Sequence, residues 1–132
     1  MALGAATIDD CALTVLATVV SKPASDRIIF DSGSKTLTSD GARGFTPAPG
    51  YGVVLDHPNL LIERLSEEHA TVKVIDGATS LEPGDRVRIV PNHSCPVSNL
   101  TERAWLVEGP STTLRPSDAV EALPIAARGR NS

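Results

Sequence analysis

Aromatic side chains are nearly absent from this chain, which has one Trp, one Tyr and two Phe among 132 residues. The core must therefore be assembled from Val, Leu, Ile and Ala. The ring platforms on which single-stranded nucleic acid stacks are missing as well. Positive charge is also scarce, with 12 Lys and Arg against 16 Asp and Glu and a net charge of −4. The few basic residues are scattered, so no surface is offered to a phosphate backbone and no nucleic-acid partner is expected. No apolar stretch reaches the length needed to span a bilayer, so no membrane partner is expected either. The first ten residues lack a basic n-region and include Asp9 and Asp10, which argues against a secretory signal. The only two cysteines, Cys11 and Cys95, lie far apart and make no disulfide framework. A reducing cytoplasm is the expected compartment.

What is present reads as β-structure. A hydrophobic content of 41% and a charged content of 21% are ordinary for a globular chain, and the length suits one domain over residues 1–132. Residues 11–20 form an apolar run rich in β-branched side chains and predict a long strand, followed by a turn at 21–26 and a short strand at 27–31. The polar, glycine-punctuated stretch 31–41 can hold a single helical turn capped by Ser32 or Ser34. Residues 42–52, with two prolines and three glycines, predict an irregular loop. Further strands are expected at 53–55, 60–66, 70–75, 86–90 and 104–107, separated by turn signals such as the Pro-Gly of 81–85. Residues 111–122 read either as a strand or as an irregular return, and 123–127 as a last apolar piece before a fraying tail. Many short strands with no long amphipathic helix describe an all-β barrel or sandwich of antiparallel strands, with at most one or two short helical turns.

One stretch concentrates chemistry. In Pro91-Asn-His-Ser-Cys-Pro96, one of three histidines stands two residues from one of two cysteines. In extended backbone, side chains at that spacing share a face, so an imidazole nitrogen and a thiolate would lie side by side, ligand types that Zn²⁺ prefers. Pro91 and Pro96 bracket the pair and limit how far a strand can run. The same residues also describe a rim histidine bonded to backbone beside a buried, inert cysteine, and no second ligand pair decides between the two. Elsewhere, Lys35 invites a Schiff-base reading, but a solvated or salt-bridged loop lysine is expected. Tyr51 is expected to pack its ring rather than act as an acid or base. Glu67, Glu68 and His69 suit either proton transfer or the polar crown of a hairpin, and the crown is expected. A nucleophilic enzyme built on Cys95 with His93 or His69 is the least favoured arrangement, for want of an orienting third group.

Taken in order, Asp31-x-Gly33-x-Lys35-x-Leu37, Leu65-Ser-Glu-Glu-His69, Pro83-Gly-Asp85 and Pro91-Asn-His-x-Cys95 resemble the C-terminal β-domain of the pyridoxal-phosphate enzymes D-serine dehydratase and D-threonine aldolase. The resemblance runs from about residue 12 to 128. It implies a β-domain that closes an active site carried by a TIM-type barrel similar to that of alanine racemase. It further implies that His93 and Cys95 hold a metal, zinc or manganese, which binds the β-hydroxyl of a D-hydroxy amino acid. The His-x-Cys form is that of the zinc-dependent dehydratase branch, whereas the aldolases typically show His-x-Asp. Glu68 and His69 become candidates for orienting a ligand.

The departure from the family is large, because the barrel is missing, and with it the pyridoxal lysine and the phosphate cup. Lys35 does not stand at the family's Schiff-base position. The resemblance therefore implies an accessory domain, inactive alone, whose partner is a barrel domain and whose pyridoxal phosphate comes only with that partner. Starting at Met1, just ahead of the first matching strand, it is expected to be cut out or separately encoded. The family tends to dimerise, so a homodimer is one expectation. The competing reading is a stand-alone β-barrel interaction module without metal.

Overall fold

The apolar run near the start does become a strand, and its alternation decides which side faces in. In the computed structural model, which describes residues 7–41, 49–108, 119–126 and 128, β1 (Val15–Ala24) buries Val15, Ala17 and Val19 and exposes Leu16 and Val20. β2 (Arg27–Phe30) returns after a two-residue turn. Then follow α1 (Ser34–Leu37), β3 (Val53–Val54), β4 (Leu60–Leu65), β5 (Ala70–Val74), β6 (Arg86–Val90), α2 (Ser94–Leu100), β7 (Arg103–Val107) and β8 (Ala119–Pro124). Six of these strands pair antiparallel in the order β3-β6-β1-β2-β5-β4, and β7 and β8 form a separate two-stranded ribbon. The irregular loop expected at 42–52 lies mostly outside the described residues, as do 111–118 and the tail from 129.

The six-stranded sheet curls until its edges nearly meet. Tyr51 donates its amide N–H to Ile62 O across the seam between β3 and β4, at 3.1 Å. The approach is close because Gly50 has no side chain: a Cβ there would stand 2.5 Å from Ile62 O, and its φ of +79° suits glycine. The interior is filled by Val19, Ile28, Phe30, Ile62, Val72, Val87 and Ile89, all fully buried, with Phe30 the one aromatic among them. Each such side chain contributes about 1.5–3 kcal/mol of burial, which is how a nearly aromatic-free chain closes a core.

Two differences from the sequence reading have physical causes. β1 starts four residues later than expected and runs on through Ala24, across the segment expected to turn. β6 pairs with β1 only over Val15–Thr18, so Pro23 stands where that side of β1 is already an edge and its missing N–H breaks no ladder. The second difference falls on His93 to Cys95, where helix α2 replaces extended backbone. Pro91 ends β6 as expected. Pro96, however, is the third residue of a helix, where its absent N–H would have had no intrahelical partner anyway. Val97, buried, holds this short helix against the protein.

Helix α1 is tied down by backbone. Ser34 N–H donates to Ser66 O and Lys35 N–H to Glu67 O, so the hairpin crown between β4 and β5 supplies the acceptors for its first turn. Gly33 is its N-cap, and a Cβ at Gly33 would lie 2.3 Å from Glu67 O. Gly33→Ala should therefore destabilise the protein by about 1–3 kcal/mol through overpacking. Gly41→Ala, which meets nothing within 4 Å, should stay within about 0.5 kcal/mol of wild type. Urea unfolding of the two variants checks this, and equal stabilities would contradict the packing argument.

Candidate functional site

The crown at residues 66–69 is a hairpin tip, held by Ser66 N–H on His69 O and by His69 N–H on Ser66 Oγ. It points its carboxylates at α1, where Lys35 Nζ pairs with Glu68 Oε1 at 2.5 Å and stands 3.9 Å from Glu67 Oε2. The hydrogen bond from Lys35 to Glu68, followed by the charges of Glu68 and Glu67, raises the lysine above its ordinary value. An exposed, more firmly protonated amine is the reverse of what Schiff-base chemistry needs. Of the two states expected, solvated or salt-bridged, Lys35 is salt-bridged, and it stands on helix α1 rather than on a loop. Tyr51 lies half-buried at the seam with its ring against the core.

Helix α1 leads to α2, which it touches, and the chain between them brings a carboxylate to the histidine. His93 is the N-cap residue of α2, exposed, and its Nδ1 lies 2.7 Å from Asp40 Oδ2. A carboxylate can only accept, so Nδ1 carries the proton and Nε2 is the nitrogen left for a ligand. Cys95, the second residue of α2, is an exposed free thiol. Asn92 donates through Nδ2 to Asp40 O at 3.2 Å and to Gly50 O at 2.9 Å. Asp40, Gly41, Asn92 and His93 line a cleft of roughly 300 Å³.

The helix overturns the premise that His93 and Cys95 share a strand face, but both side chains remain accessible at one end of α2. The carboxylate beside His93 is Asp40, not Glu68, which is committed to Lys35; His69 stays on the hairpin crown. Sequence reasoning missed Asp40 and Asn92. Asn92 stood in plain view beside His93 in a motif already singled out. Asp40 gave no signal, since 53 residues separate it from its partner. The donor set suits a borderline divalent cation: one imidazole nitrogen with its other nitrogen occupied, and one thiol. Among the described residues no group of three or more His, Cys, Asp or Glu is assembled for a metal.

Comparison with known proteins gives the chain a family and solved relatives of the same fold. A family described as "Putative serine dehydratase domain" matches residues 12–107. An uncharacterized protein of Mycobacterium tuberculosis is 39% identical over 133 residues, covering 98% of this chain and 92% of its own length. A D-threonine aldolase of an Arthrobacter species is 39% identical over 88 residues, 67% of this chain but only 21% of the aldolase. Among solved structures, the D-threonine aldolase of Filomicrobium marinum superposes with a TM-score of 0.74 at 30% identity, covering 92% of this chain and 29% of that one. D-threo-3-hydroxyaspartate dehydratase from a Delftia species follows at 0.73 and 26%, covering 34% of that chain. The same dehydratase is also known with a cysteine replaced by alanine, in a metal-free form, and with a histidine two positions earlier replaced by alanine. The chain thus spans about a third or less of these named enzymes.

The Lys35 pair makes a prediction about pH. A raised folded-state value stabilises the fold below lysine's ordinary 10.5, and the contribution is lost as pH rises through the folded value. Lys35→Met should therefore be slightly less stable than wild type at neutral pH, with the difference vanishing in strong alkali. Thermal melts at the two pH values check it, and a difference that grew in alkali would contradict it.

Proposed function

This chain belongs to the serine dehydratase domain family, and on that footing we propose that it is the metal-binding accessory domain of a pyridoxal-phosphate-dependent D-amino-acid lyase of the D-serine dehydratase or D-threonine aldolase type. The observation that carries the reading is the exposed His93-x-Cys95 pair at the start of α2, with His93 Nδ1 already taken by Asp40. The histidine and cysteine replaced in the D-threo-3-hydroxyaspartate dehydratase stand at the same spacing, and the cysteine variant is described as metal-free.

His93 through Nε2 and Cys95 through Sγ would hold the cation, zinc or manganese. A bound divalent cation supplies Lewis acidity to the β-hydroxyl of a D-hydroxy amino acid. Two protein ligands leave positions open for water and substrate, and make binding by this chain alone weak. The cleft beside His93 gives the substrate oxygen its approach. Pyridoxal phosphate, carried by a barrel domain, supplies the electron sink at the substrate's Cα. This chain's part is to present the cation and cover the site, so it is inactive alone.

The barrel domain also explains the ribbon. β7 and β8 expose Trp105 (61%), Leu106 (47%) and Leu123 (38%). Trp105 and Leu106 are successive residues of a strand, so they project from opposite faces, and a two-stranded ribbon apolar on both faces is marginal in water. That ribbon is the surface offered to the barrel. It equally favours the second reading, an interaction module without metal, and titration separates the two.

Zinc titration of the purified chain should reveal one site, lost in His93→Ala and in Cys95→Ala. Unchanged binding in both variants would sink the metal assignment. The chain alone should release no pyruvate from D-serine, and release should appear when a matching barrel domain is added. Turnover by the chain alone would overturn the accessory role.

A further inference from the structure

We infer that Asp40 and Asn92 form a positioning unit for His93, fixing its imidazole in the tautomer that leaves Nε2 free to take a metal. The inference rests on the metal-binding reading above and deepens it by naming the groups that prepare the ligand before any metal arrives. It starts from an imidazole that is half exposed: its side chain keeps 50% of its accessible surface and that of Asp40 keeps 38%. An imidazole in that position with no partner would exchange its proton between the two nitrogens and turn about its side-chain bonds. The contact from Nδ1 to Asp40 Oδ2 at 2.7 Å stops both, since it is short, charge-assisted and leaves one nitrogen as donor.

Asp40 can do this only because it is itself held. Its backbone carbonyl accepts from Asn92 Nδ2 and its backbone N–H donates to Thr38 Oγ1. The same Asn92 amide grips Gly50 O, so one side chain uses both of its N–H donors to fasten residues 40 and 50 beside His93. Thr38 adds an independent sign of a specified geometry. Its φ of 64° and ψ of 163° fall in a region nearly reserved for glycine, yet the residue is a buried threonine. Such backbone persists only where its surroundings over-determine it. Exposed ion pairs add little to folding, so stability alone does not account for this much bracing of a surface contact. A carboxylate that anchors the far nitrogen of a ligating histidine does account for it.

The test compares the full chain with Asp40→Ala and Asn92→Ala, each checked for folding by circular dichroism. In the metal-free protein, ¹⁵N NMR of the imidazole should find the His93 proton on Nδ1 in wild type and a mixture of tautomers in Asp40→Ala. Zinc affinity, read by competition with a chelator, should fall about 10- to 100-fold in Asp40→Ala and by a smaller factor in Asn92→Ala. A folded Asp40→Ala with the wild-type tautomer and wild-type zinc affinity would overturn the inference. If Asp40→Ala does not fold, Asn92→Ala carries the same two readouts. If wild type binds no zinc, the metal reading falls, and the metal-free tautomer comparison still decides whether Asp40 positions the ring.

Discussion

The barrel closes on a backbone contact that admits no side chain. Tyr51 N–H reaches Ile62 O only because the preceding residue, Gly50, carries no Cβ to strike the same oxygen. Much of the site depends on that closure. Gly50 turns its own carbonyl toward Asn92, and Asn92 in turn holds Asp40 against His93. The residue that lets the sheet become a barrel is thus one of the two points to which the rim is fastened. The second fastening lies on the other side of α1, where the hairpin crown gives its carbonyls to the first turn of that helix. Site geometry at the rim is inherited from sheet closure together with Asn92, the residue beside the histidine.

That inheritance explains what could be read in advance and what could not. Strands with alternating burial, such as Ala70–Val74, announced themselves because a period of two has one explanation. The hairpin crown at 66–69 was legible as a polar segment between two strands, and the family resemblance followed from motifs kept in order. Helix α2 was hidden because Ser94–Leu100 is seven residues with a proline in its first turn and a single buried side chain, too little for a helical period to show. Asp40 was hidden for a different reason: its partner lies across the fold, and no local pattern marks a carboxylate that reaches a distant ring. His93 and Cys95 were found as ligand candidates although the strand that was to align them does not exist.

A chain that aligns over almost its whole length with a mycobacterial protein of similar size, yet over a third or less of the named lyases, carries part of their architecture. In physical terms the part is coherent: the barrel core is filled, the first turn of α1 is satisfied, and among the described residues only Ser32 Oγ is a buried side-chain polar atom without a partner. At the surface stand the exposed His93 and Cys95 and the apolar ribbon of Trp105, Leu106 and Leu123.

The scarcity of aromatics gives the ribbon one more property. Trp105 is the sole tryptophan, and it stands in solvent on β7 rather than in the barrel. Indole emission from this protein therefore originates on the ribbon alone, and the interior, with Phe30 as its fully buried aromatic, is dark at those wavelengths. The molecule carries a built-in optical label on an exposed apolar surface, blind to the packing of its own core.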